Sequence, residues 1–185
     1  MREVRVAATT MSGCVRGLAL CGWVLATAAA FPGGARAGAQ AGPSADDIAA
    51  GMRIYRTKAD CQACHGWAGD GRKMDSQMPD GANLRTTRLD RDKVIQAIKC
   101  GIPGGKGMPA FDRLAYSDGR CYGITQADLK KTGALPDPPA TLQQREIESV
   151  ADFLFAKVVG KGVMDRATCI EYWGSDVSAC AEFPR

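Results

Sequence analysis

Apolar residues recur at helical spacing in three places along this chain, and no stretch shows the alternation of a strand. Ile48, Met52 and Tyr55 share one face of residues 45–58, and Ser44 with Asp47 forms a capping box ahead of them. Asp46 and Asp47 suit the positive end of that helix. Val94, Ile95 and Ile98 predict a second helix over 91–100, capped by Asp90 and ended by Gly101 and Pro103. Ile147, Val150, Ala151, Leu154 and Val158 follow the i, i+3, i+4, i+7, i+11 pattern of a strong last helix. Thr141 and Gln144 are its expected cap, and Gly160 and Gly162 its stop. A short helix is expected from Thr125 and Asp128. A Gly-rich polar loop covers 66–86, turns dominate 101–140, and 163–185 has no clear period. The pattern is all-α, with no internal repeat.

At 185 residues there is room for one domain, two at most. The N-terminus reads as a secretory signal: Arg2, Arg5 and Arg16 precede the apolar run "GLALCGWVLATAAA", and small-residue sites follow at 35–37 and 39–41. The run is too short for a spanning helix, which needs about 20 apolar residues, so a retained membrane anchor is not expected. Leu20 before Cys21 is too large for a lipoprotein site. A Gly/Ala/Pro linker over 31–43 joins the signal to the rest. Loss of 1–42 removes four arginines and one glutamate, so the formal +4 falls to about +1. A nucleic-acid role then has no support from charge.

Cys14 and Cys21 leave with the signal. Cys100, Cys121, Cys169 and Cys180 are an even number in an exported chain, which favours two disulfides. Nearness in sequence pairs Cys100 with Cys121 and Cys169 with Cys180.

The remaining cysteines stand in "CQACH", where Cys61 and Cys64 precede His65, the chain's single histidine. Cys-x-x-Cys-His is the attachment signature for covalent haem. Thiols one helical turn apart can each join a vinyl group of one porphyrin, and the adjacent imidazole then sits over the iron. Cys61 and Cys64 are the thioether residues on this reading, and His65 is the proximal ligand. A thioredoxin-type motif would want a βαβ context, and zinc would want two further ligands close by; neither is present.

Without a second histidine, the distal ligand is methionine, another weak donor, water or nothing. Met52 belongs to an apolar helix face, Met74 and Met78 to the loop after His65, and Met164 to the tail. Met108, in "GGKGMPAF", is the chosen candidate: its glycines allow a tight approach and Pro109 stiffens the exit. The same run is no phosphate loop, because Gly101 and Gly105-Lys106 are wrongly spaced and Gly107 replaces the Ser/Thr.

Over about residues 45–160 this arrangement resembles the single-haem class I cytochromes c: a helix entering "CQACH", a middle helix, a "GMPAF" loop and an amphipathic helix. The stretch 100–129 and the cysteine-bearing tail resemble periplasmic cytochromes that accompany quinoprotein (PQQ-dependent) alcohol dehydrogenases. The resemblance implies a cytochrome c-like fold of three to five helices around one haem c. Residues 1–42 would be signal and linker, 43–160 the cytochrome domain, and 161–185 a disulfide-held extension packed on it. It implies a helix crossing with Gly51 and Tyr55 facing Phe153 or Phe155, and a proline carbonyl, Pro79's, orienting His65.

Ligation by His65 and Met108 leaves no open iron position, so the expected role is periplasmic electron transfer rather than catalysis, the thioether favouring Fe(II). The expected donor is a dehydrogenase and the acceptor an oxidase or another cytochrome. Trp67 is a candidate for the haem edge, and Lys73, Lys99, Lys106 and Lys130 for steering a partner. A fixed haem subunit of a dehydrogenase, and a haem enzyme or sensor with an open distal site, are the alternatives.

Overall fold

The helical periodicity resolves into six α-helices in a computed structural model that describes residues 42–104 and 107–183. The expected signal segment, with Cys14 and Cys21, and Lys106 lie outside the described residues. Helix α1 spans Ala45–Arg53, α2 Gln62–His65, α3 Arg91–Cys100, α4 Gln126–Thr132, α5 Gln144–Lys157 and α6 Arg166–Trp173. No strand occurs among the described residues, and none of their helices is long and apolar enough to cross a membrane.

The cap residues explain most boundaries. Ser44 Oγ accepts from Asp47 N at 3.1 Å, and Asp90 Oδ1 accepts from Lys93 N at 2.9 Å. Thr125 and Asp128 form the expected capping box of α4. Helix α5 is capped by Gln143 and Glu146, not by Thr141 and Gln144. The reason is a tertiary bond: Leu142 is buried and donates its N–H to Phe111 O at 2.8 Å, which holds the chain extended one step longer. The helix expected over 45–58 is α-helical only to Arg53; Ile54–Lys58 widens into a π-helical turn.

α1 and α5 cross at Gly51 and Phe153, and the Tyr55 ring lies 5.4 Å from that of Phe153. Phe155 is only half-buried. Tyr55, Val94, Ile98, Ile147, Val150, Phe153 and Leu154 fill the main core between α1, α3 and α5. Each large apolar side chain there contributes about 1.5–3 kcal/mol by burial.

Two smaller cores surround the disulfides, which pair Cys100 with Cys121 and Cys169 with Cys180, as proximity suggests. Tyr116 and Leu129 pack on the first, Ala68 and Met164 on the second. The tail without a clear period contains α6, capped by Asp165 and ended by Gly174 at φ 77°. Only Cys169 and Tyr172 are fully buried along it, too few inward positions to make a legible period.

Candidate haem-binding site

Helix α2 is a single turn, so nearly all its backbone carbonyls lack an intrahelical partner. The following loop supplies the donors. Gly71 N bonds His65 O at 2.9 Å, Met74 N bonds Ala63 O at 3.1 Å, and Gly81 N bonds Cys64 O at 3.1 Å. On its other side the turn is entered through Asp60, at the unusual φ of 43° for a non-glycine residue. Tyr55 OH, buried in the main core, donates to Gly66 O at 2.8 Å and ties the exit of the turn to the π-helical segment that follows α1. A turn too short to be stable alone is thus fixed at both ends by tertiary bonds.

His65 Nδ1 lies 2.8 Å from the backbone carbonyl of Ala82. A carbonyl can only accept, so Nδ1 carries the proton and Nε2 the lone pair. Burial lowers the pKa of His65, opposed in part by that carbonyl, which favours the neutral, ligating form. The orienting carbonyl is Ala82's rather than the expected Pro79's. Gly81 permits this approach: a Cβ there would stand 2.7 Å from both His65 Nδ1 and Cys64 O.

Cys61 and Cys64 are the described cysteines not engaged in disulfides. Burial pushes the Cys61 thiol up to about 12, and also raises that of Cys64. Neither has the depressed pKa of a disulfide-exchange nucleophile. Among the described residues no three of His, Cys, Asp or Glu cluster to hold a bare metal ion. Two adjacent unpaired thiols and a bare imidazole nitrogen are the donor set that fits haem c, and they argue against zinc.

The five methionines of the described residues are separated by their surroundings. Met52 packs on the main core from α1, and Met164 is buried beside the Cys169–Cys180 bridge. Met74 and Met78 are 59% and 38% exposed. Met108 is half-buried against the main core. The loop that carries Ala82 lies near the segment of Met108: a Cβ built on Gly107 would come within 3.5 Å of the Pro79 ring. One loop therefore runs close to both the His65 turn and the Met108 segment.

Trp67 packs in an aromatic cluster. Its ring lies 5.3 Å from Tyr172, 5.7 Å from Trp173 and 6.1 Å from Phe183, and its carbonyl accepts from Tyr172 OH at 2.7 Å. Lys73 pairs with Asp80 at 3.1 Å, Lys99 is half-buried, and Lys130 is exposed.

Arg85 was hidden in what reads as a polar loop. Its side chain is 1% exposed and donates to the carbonyls of Gly162, Lys161 and Ala68 at 2.5, 3.3 and 3.5 Å. Nothing in its neighbours' residue types marks it, because every acceptor is backbone.

Residues 46–126 match the family model described as cytochrome C oxidase, cbb3-type, subunit III. No curated protein and no solved structure matches the chain.

Proposed function

We propose that this chain is an exported electron carrier with a single covalent haem, a reading supported by the family-model match over residues 46–126. Cys61 and Cys64 would hold the group through thioethers, and His65 and Met108 would be its iron ligands. The haem supplies a one-electron Fe(III)/Fe(II) couple. The observation that carries the reading is the His65 turn: two unpaired thiols, and an imidazole whose Nδ1 is committed to Ala82 O while Nε2 is left bare. That second bond sets the tautomer and ring orientation, as partners of ligating histidines commonly do.

The chain's own residues then keep reorganisation small. Gly71, Met74 and Gly81 anchor the turn from one side and Tyr55 from the other, and apolar packing around a bound haem would favour the reduced iron. Ligation by both His65 and Met108 would suit the site to passing electrons rather than to binding substrate. Its place is the periplasm, its donor a dehydrogenase of the quinoprotein kind, and its acceptor a terminal oxidase or another cytochrome.

Met108→Ala tests the ligand set. The expected result is a lower reduction potential, loss of the ferric sulfur-to-iron charge-transfer band, and new binding of CO or imidazole. Unchanged spectra would sink the assignment of Met108. Mass spectrometry of the exported protein should show the mass of one added haem and a start near residue 38 or 42.

The family description, an oxidase subunit, favours a second arrangement in which this protein is a fixed subunit of a larger complex. Co-purification with a catalytic subunit through high salt identifies that arrangement, because steered encounters weaken with ionic strength.

A further inference from the structure

The C-terminus of α3 leaves the same orphan carbonyls as any helix end; Gly101 N takes that of Ala97 at 2.9 Å, and the segment that follows Met108 receives the last three. Phe111 N bonds Ile98 O and Asp112 N bonds Lys99 O, each at 3.1 Å. The next two carbonyls go to phenols: Tyr116 OH donates to Cys100 O at 2.5 Å, and Tyr122 OH to Gly101 O at 2.9 Å. Gly101 in turn lies against the backbone of the candidate ligand. Ile102 N donates to Met108 O at 3.2 Å. A Cβ on Gly101 would stand 2.6 Å from Met108 O and 2.7 Å from Pro109 C. Met108 therefore lies against Gly101, which is held through its N–H by Ala97 O and through its carbonyl by Tyr122 OH, each at 2.9 Å.

Tyr122 holds this place at a cost. It is 45% exposed, so burial contributes little, and its φ of 57° is a left-handed conformation that glycine adopts more easily. A strained backbone at a half-exposed residue persists only where the surroundings over-determine it. Three constraints are visible: the neighbouring Cys121 is bonded to Cys100, Ile124 N donates to Cys121 O at 3.1 Å and closes a tight turn over Tyr122 and Gly123, and the phenol reaches Gly101.

The geometry points to Tyr122, seconded by Tyr116, as positioning residues that hold the Met108 loop in its ligating arrangement and so resist displacement of the thioether by outside ligands. This rests on the reading that Met108 is the iron's sulfur ligand. The states concerned are loop-closed and loop-open forms of the ferric protein, and an external ligand binds only the open one. Its apparent affinity therefore reports the open fraction.

The experiment titrates imidazole into the ferric holoprotein of wild type, Tyr122→Phe, Tyr116→Phe, Tyr122→Gly and Met108→Ala, with a thermal unfolding midpoint for each. Loss of one phenol bond should tighten imidazole binding in Tyr122→Phe and Tyr116→Phe by about 5-fold, the shift one ordinary hydrogen bond supports. Tyr122→Gly separates positioning from stability: it relieves the strain and keeps or raises the midpoint, yet still binds imidazole more tightly than wild type. A purely structural tyrosine would make affinity follow the midpoint, and that result overturns the proposal. Wild-type affinity in all three tyrosine variants, with tight binding in Met108→Ala, also overturns it and leaves the ligand reading standing. Wild-type behaviour in Met108→Ala removes the ligand reading and this inference together.

Discussion

Gly51 meets Ser149 backbone to backbone: a Cβ on Gly51 would lie 1.9 Å from the carbonyl oxygen of Ser149, and 2.8 Å from Phe153 Cβ. No side chain can be accommodated without moving α1 off α5, since the obstructing atoms are backbone and Cβ. The crossing also carries the Tyr55–Phe153 ring contact, and Tyr55 anchors the His65 turn through Gly66 O. Gly51→Ala should therefore cost about 3 kcal/mol or more, the upper range for overpacking a tight contact. Chemical denaturation of the holoprotein checks the figure. A loss under about 1 kcal/mol would mean the helices slide apart freely, contrary to a close-packed crossing.

What could be read from the residues follows a physical line. α1, α3 and α5 bury one face each along several turns, so Ile48, Ile98 and Val150 advertise them by spacing. Cys61, Cys64 and His65 are legible because covalent and ligating chemistry demands particular residue types at particular intervals. Ala82 is not legible: it acts through a carbonyl, which every residue has, and its place depends on Gly81 letting the chain close on His65. Arg85 is hidden for the same reason, its three acceptors being main-chain oxygens. The packing partners of Trp67 are not legible, because Tyr172, Trp173 and Phe183 come from more than a hundred residues away.

Arg85 makes a second prediction. Burial lowers its pKa, and no carboxylate of the described residues lies within ion-pairing distance of it. Desolvation of the guanidinium opposes folding, while three bonds from a charged donor favour it. Arg85→Met relieves the first and strands the Gly162, Lys161 and Ala68 carbonyls, for an expected net loss of about 2–3 kcal/mol. Arg85→Lys should be no milder, because an ammonium keeps the buried charge without the fork that reaches three acceptors. Urea unfolding midpoints of the two variants decide it; a lysine variant as stable as wild type would show that charge alone suffices.

Acid pH should weaken the α5 cap. Glu146 accepts from Lys58 Nζ at 2.5 Å and from Gln143 N at 2.9 Å, and these bonds, the lysine's first, hold its carboxyl below its ordinary value of 4.5. A carboxylate depressed in the folded state contributes stability that is fully present above the unfolded value and lost as pH falls through the folded one. Both groups are partly exposed, so solvent and salt reduce the effect. Wild type should exceed Glu146→Gln in thermal midpoint at neutral pH, with the gap narrowing only below about pH 4.5 and closing at lower pH. A gap that stays constant on acidification would show that Glu146 acts by shape alone.

The two disulfides should fail in different ways when removed. Cys169–Cys180 spans 11 positions and holds α6 on Trp67, through the Tyr172 OH bond and the ring contacts of Tyr172 and Trp173. Closing a loop of that size stabilises by about 3 kcal/mol in the chain-entropy account. Cys169→Ala with Cys180→Ala should lower the denaturation midpoint by a comparable amount and flatten the near-ultraviolet dichroism of the tryptophans. Imidazole affinity of the ferric protein should stay at the wild-type value, because nothing in that bridge touches Gly101 or the Met108 loop. Cys100–Cys121, by contrast, carries the segment whose Tyr116 and Tyr122 grip the end of α3. Cys100→Ala with Cys121→Ala should loosen both phenols at once and raise imidazole affinity beyond either single tyrosine variant. Equal imidazole affinity in the two double variants would show that the bridges act only on global stability, and that the grip on Met108 does not run through Cys121.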